Sequence, residues 1–217
     1  MKIICATIGV NLLMACAAYG QGNFQPLTIT FDGLPVQPQN TAYTVHYYQE
    51  QGMEFTDIPL YGNGFGRVGS QTTNRASFYA DNGTTILNAG VGDSLSFVFA
   101  NGLPFNLNSV DLAEYSTVAV ELYGVFPVHF VGYHADGSTI ETDFTPDGII
   151  DGPGGLPDFQ TFTFTGWNNL TRVEVPGFDS LDNLVVTPLP EPGTIGLGLV
   201  GFAVLAYHLG WRGRGKQ

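Results

Sequence analysis

The sequence predicts an all-β fold, an antiparallel β-sandwich, and three observations carry that expectation. Apolar residues alternate at Leu27-Ile29-Phe31, Tyr43-Val45-Tyr47, Leu95-Phe97-Phe99, Val118-Val120-Leu122, Val128-Phe130, Ile140-Thr142-Phe144, Phe162-Phe164, Val173-Val175 and Leu184-Val186. A period of two is the mark of half-buried strands. The alternation is broken by Asp32-Gly33, Asn82-Gly83, Asn101-Gly102, Asp136-Gly137, Asp147-Gly148 and Asp151-Gly152, pairs that favour turns. Between the N-terminal apolar stretch and Pro190, no helical periodicity runs longer than about two turns. Roughly ten short strands without a long helix leave sheet packed on sheet as the architecture.

The chain has 217 residues. Lys2, followed by the apolar run Ile3–Ala15, has the n-region and h-region of a secretory signal. Small residues then offer cleavage after Ala18 or Gly20, so residues 1–20 read as a signal peptide. Leu13-Met14-Ala15-Cys16 also resembles a lipobox, in which Cys16 would be lipidated. Both readings export the protein. The only other cysteine, Cys5, lies in the same segment. The domain at 21–187 therefore has no disulfide and must be held by packing.

The strands follow in order, and the best hairpin lies between Val128–Tyr133 and Ser138–Phe144, because Asp136-Gly137 accepts positive φ. Val110-Asp111-Leu112-Ala113-Glu114 puts Glu114 in phase with two apolar residues, on the inward face. A carboxylate there needs Arg67, Arg75 or Arg172 as partner, or marks a ligand groove. Asp143, Asp147, Asp151 and Asp158 alternate with Gly and Pro. That pattern suits a solvated turn-rich loop, and it also suits Ca²⁺ on irregular backbone.

Charge narrows the partners. Of 19 acidic residues all but Glu191 fall in the domain, whereas of 7 basic ones only Arg67, Arg75 and Arg172 do. So negative a field repels phosphate backbones, and nucleic acid is not expected as a partner. It suits a partner that is neutral, cationic or bridged by a divalent metal.

At the C-terminus, Pro190-Glu191-Pro192 precedes an uncharged apolar run, Gly193–Trp211, and then Arg212, Arg214 and Lys216. The prolines keep the exit extended. At about 1.5 Å per helical residue the run spans roughly 28 Å, enough for one transmembrane helix. The cations place its far end in the cytoplasm. Residues 188–217 closely resemble the PEP-CTERM sorting signal of Gram-negative bacteria, although glycines interrupt the basic cluster and His208 lies inside the span. The resemblance implies an exosortase as partner, an inner-membrane-tethered precursor with its domain outside the cytoplasm, and a final place at the cell surface or in the extracellular matrix.

Thr28–Asp32, Val128–Tyr133 and Leu181–Val186 resemble jelly-roll, carbohydrate-binding-module-like domains of exported bacterial proteins. That resemblance implies that the first and last strands pair, that Asp32 and Asp182 hold a structural calcium, and that extracellular polysaccharide is the ligand.

Catalytic patterns are weak. Gly64-Phe65-Gly66-Arg67-Val68-Gly69 matches a dinucleotide fingerprint, but no helix is predicted after it. His46, His129, His134 and His208 show no HExxH spacing, and no cysteine helps them. There is no GxSxG elbow. Carboxylate pairs for glycoside hydrolysis stay open as an alternative, because their separations are not legible. For sugar stacking the first candidate is Trp167, in the polar setting Gly166-Trp167-Asn168-Asn169, with Tyr47, Tyr48 and Tyr79 behind it. Core packing is the competing role for each aromatic. The sequence thus favours a non-enzymatic, glycan-binding surface protein, with a purely structural protein or a small glycan-active enzyme as alternatives.

Overall fold

The computed structural model describes residues 25–34, 43–59, 65–67, 79–88 and 93–189. The signal segment with Cys16, the motif Pro190-Glu191-Pro192, the apolar span, and Arg212, Arg214 and Lys216 lie outside the described residues. Among the described residues no helix is long and apolar enough to cross a membrane.

The strands run, in order, β1 (Leu27–Ile29), β2 (Tyr43–Val45), β3 (Tyr47–Glu50), β4 (Met53–Thr56), β5 (Phe65–Arg67), β6 (Leu87–Asn88) and β7 (Leu95–Phe99). They continue with β8 (Phe105–Ala113), β9 (Val128–His134), β10 (Thr139–Phe144), β11 (Gln160–Thr163), β12 (Leu170–Val175) and β13 (Ser180–Pro188). Eleven of them form one antiparallel sheet, nearly closed and barrel-like, while β2 and β5 pair separately. One stretch of the sheet is β3-β4-β7-β12-β9-β10; the other carries β1 and β6 on one edge of β13, then β8, then β11. A single pairing, Leu170 with Phe105, joins them.

First and last strands pair as expected, Leu27 opposite Val186 and Ile29 opposite Leu184. The hairpin at Asp136-Gly137 also forms, joining β9 to β10 with Gly137 at φ 85°. Asp136 Oδ1 accepts the Ser138 N–H at 2.9 Å and tightens the turn. Within the glycine-rich segment Phe65–Arg67 forms β5, paired with β2, and the residues on either side of it lie outside the described ones.

One expected strand is a helix. Val118, Val120 and Leu122 lie on α1 (Thr117–Tyr123). Ser116 Oγ caps it by accepting the Ala119 N–H at 3.1 Å, and Gly124 at φ 78° ends it. No residue of α1 is buried. Alternate valines had suggested one buried strand face, but this short helix lies on the surface, where apolar periodicity does not report on a core.

The core follows from the strands' inner faces. Phe31, Phe55, Phe97 and Phe105 form a chain of ring contacts between 5.3 and 6.2 Å. A second group joins Phe130, Phe144, Phe162 and Phe164. Edge-to-face rings add to the burial itself, so a domain without disulfides has the packing it needs.

Candidate functional site

Trp167 is not a sugar platform. Its ring is 3% exposed and sits 4.8 Å from the Phe164 ring. Beneath it lies Gly132, where a Cβ would come within 2.9 Å of Cζ3. The polar neighbours that suggested exposure are the turn itself: Gly166 at φ 81° and Asn169 at φ 56° face solvent and swing the indole inward. Tyr48 and Tyr79 are half-buried and Tyr47 is exposed, donating its hydroxyl to Glu54 at 3.1 Å. Desolvation, together with Glu50, which accepts the Tyr48 hydroxyl at 2.8 Å, pushes the Tyr48 phenol up.

The exposed apolar surface lies elsewhere. Val118, Leu122, Tyr123 and Phe126 stand out from α1 and the turn after it, with Tyr123 71% and Phe126 56% exposed. Ile149 joins them, because Gly148 packs against Val125, whose Cγ2 is 2.6 Å from where a glycine Cβ would be. The sequence carried a signal for this patch, apolar residues flanking Gly124, but a strand reading buried it.

Asp32 and Asp182 are drawn to one segment. Asp32 accepts the Thr85 N–H at 3.3 Å, and Asp182 accepts from Asn82 Nδ2 at 2.6 Å and Thr84 Oγ1 at 3.1 Å. The other oxygen of Asp182 takes the Asn183 N–H at 2.7 Å. Burial pushes the Asp182 carboxyl up to about 6; the three donors oppose this, and the Asp32 charge adds to it. These neighbours present N–H and O–H groups, and a hard cation needs oxygens. Asn82 Oδ1 is itself engaged by the Thr84 N–H at 3.1 Å, which turns its amide N–H₂ toward Asp182. In this arrangement the set suits a hydrogen-bonded carboxyl better than a calcium ligand.

Glu114 is inward, as its phase implied, and is 1% exposed. The arginine expected beside it is not the described one: Arg172 pairs with Glu174 at 3.2 Å and lies over the Tyr133 ring at 4.0 Å. Oε1 accepts the Gly148 N–H at 2.7 Å, whereas Oε2 has no hydrogen-bond partner among the described residues. Desolvation pushes the Glu114 carboxyl up, aided by the charges of Asp147 and Asp158. Asp158 is pushed up by burial and by Asp151 and Asp147, and its Oδ1 is likewise buried without a partner. Asp179 rises to about 6 through burial and the Glu114 charge.

The described histidines are dispersed. His46 meets Asp57, His129 meets Asp143 at 2.7 Å, and His134 faces the Asn169 carbonyl at 3.3 Å. Among the described residues no three His, Cys, Asp or Glu form a ready-made metal centre. No protein-family model matches the chain, and no curated protein matches it significantly.

Proposed function

We propose that this is an exported surface or extracellular-matrix protein, tethered by its C-terminal helix until an exosortase processes it, whose β domain binds polysaccharide without catalysis. The observation that carries the sorting half is the order Pro190-Glu191-Pro192, apolar run, Arg212-Arg214-Lys216. Intact-mass analysis of protein extracted from its native cell surface tests it. The expected species begins near Gln21 and lacks residues 190–217; a mass retaining the tail refutes processing, and one fitting a lipidated Cys16 refutes ordinary signal cleavage.

The binding half rests on the exposed aromatic and aliphatic group at Leu122, Tyr123, Phe126 and Ile149. Apolar surface held in the open beside aromatic rings suits sugar faces, and the domain's negative charge favours neutral glycans. In this reading the antiparallel sheet is a jelly-roll-like sandwich, and calcium is a structural ion rather than a reactant. A non-catalytic role is supported by where the raised carboxyls sit: Glu114 and Asp182 are buried away from any polymer chain. Stacking on an aromatic face contributes about 1–3 kcal/mol by analogy with bases. Removing both Tyr123 and Phe126 as alanines is therefore expected to weaken binding to a neutral polysaccharide at least tenfold or so, with an unchanged melting temperature. Affinity electrophoresis in neutral and acidic polysaccharide gels reads this. Undiminished retardation of the variant removes the patch from the proposal, and no retardation of the parent in any gel favours a purely structural protein.

A further inference from the structure

We propose that Asn82 is a self-modifying residue. The backbone nitrogen of Gly83 attacks its side-chain amide carbon, ammonia leaves, and water opens the resulting ring to aspartate or isoaspartate. The reacting groups are neighbours along the chain, so no encounter is needed. Gly83 lies at φ 87°, and a Cβ there would meet nothing within 4 Å, so no side chain stands beside the nucleophile. Asn82, Gly83 and Thr84 are exposed, which admits the water that the second step consumes.

Each requirement of the reaction has a named group. The nucleophile must shed its proton, and the Gly83 N–H donates to Asp81 Oδ1 at 2.8 Å, a carboxylate within general-base reach. Negative charge then develops on Asn82 Oδ1. The Thr84 N–H donates to that oxygen at 3.1 Å and the Thr84 hydroxyl at 2.7 Å, nearer than the hydroxyl's other acceptor, Asp182 Oδ2, at 3.1 Å. Donors fixed on a developing oxyanion lower the barrier. The leaving nitrogen, Asn82 Nδ2, lies 2.6 Å from Asp182 Oδ2, a carboxyl placed to give it the proton with which it departs as ammonia. The bond from Gly83 N to Asn82 Cγ forms as the Cγ–Nδ2 bond breaks. Asp81 takes a proton, Asp182 gives one, and the two re-equilibrate through solvent. Water then adds across either ring carbonyl–nitrogen bond, so the sum is water in and ammonia out, with no oxidation or reduction.

The chain carries its own comparison. Asn101-Gly102 is the same dipeptide, exposed, with Gly102 at φ 74° and the Leu103 N–H donating to Asn101 Oδ1 at 3.1 Å. There the Gly102 N–H donates to the Phe99 carbonyl at 2.8 Å, an acceptor too weakly basic to take the proton. What sets Asn82 apart is therefore neither the dipeptide nor its turn. It is the carboxyl on each reacting nitrogen and the hydroxyl on the amide oxygen. Conversion removes the N–H₂ that Asp182 accepts and sets a like charge in its place, which loosens the hold of β13 on this segment.

The test holds the full chain in detergent at neutral pH, samples it over weeks, and quantifies the digested peptides by mass spectrometry. Enzymatic methylation of isoaspartate gives a second readout. Asn82 is expected to convert roughly tenfold faster than Asn101 in the same samples, or more. In urea the two rates should become equal, because the unfolded chain holds neither carboxyl in place. Asp81→Asn keeps an acceptor for the Gly83 N–H but cannot take its proton. It should slow Asn82 roughly tenfold or more and leave Asn101 unchanged. Thr84→Val removes the hydroxyl donor, keeps the N–H, and should also slow Asn82; it serves where Asp81→Asn does not fold. A folded parent in which Asn82 converts no faster than Asn101 overturns the proposal. So does a fast rate that survives both variants, or a difference that persists in urea, which would assign it to local sequence alone.

Discussion

Trp167→Ala is expected to destabilise the domain by about 3–5 kcal/mol, the usual cost of emptying a large aromatic site. The indole fills the space between Phe164 and the backbone of Gly132. Its backbone carbonyl accepts the Leu107 N–H at 2.9 Å, so the turn that carries it also pins the start of β8. Small residues cannot fill the vacated volume, since Gly132 has no side chain to offer and Phe164 is already held by Phe130 and Phe144. Each kcal/mol shifts the melting temperature of a domain this size by about 2–4 °C, so a loss on the order of 10 °C should appear by circular dichroism. Trp167→Phe should recover much of it. A variant that melts within a degree or two of the parent would show that the ring is dispensable to the core.

Stability should also fall as pH rises from acidic to neutral, the reverse of ordinary acid denaturation. The Asp182 carboxyl is buried and lifted to about 6, against roughly 4 in an unfolded chain. The folded protein thus keeps a proton that the unfolded chain releases. Its contribution is fully present below about pH 4 and is lost as the pH passes through 6, a change on the order of 3 kcal/mol. Asp179, also lifted to about 6, acts in the same direction. Urea unfolding in chelator at fixed ionic strength should give a higher midpoint near pH 5 than near pH 8. Asp182→Asn should flatten that dependence, because the substituted amide does not titrate. A midpoint that climbs between pH 5 and pH 8 would show that Asp182 is ionised at little cost in the folded state.

Where local chemistry and tertiary structure agree, the sequence was legible. Asp136-Gly137 makes its hairpin because the dipeptide alone supplies the backbone the turn requires. β7 and β12 read correctly because their alternation survives into the core. β8, one of the longest strands, was read only in its second half, from Val110, because its phase slips: Phe105 and Leu107 are buried, then Val110 and Leu112. The slip accompanies a bulge in the partner strand, where register shifts between Asp182 and Val185 and Asn183 takes φ 45°. No periodicity survives such an interruption. Trp167 was misread because the polarity of its neighbours belongs to the turn and not to the ring. Glu114 was half legible. Its phase predicted burial, but the charges that add to the lift of its carboxyl, Asp147 and Asp158, come from a segment distant in sequence and leave no trace in its own strand.

The pairing of the first strand with the last gives the domain a polarity. Leu27 lies beside Val186, and Phe105, the start of β8, lies beside Pro188, so the chain enters and leaves at one end. Ala113 lies beside Ser180 at the other end, and Glu114 and α1 follow directly from it. The two ends are separated by the length of β13, nine residues, or roughly 30 Å at about 3.3 Å per residue. The exposed aromatic side chains of α1 and the turn after it therefore follow from the end of β8 that lies opposite the one where β1 begins and β13 ends.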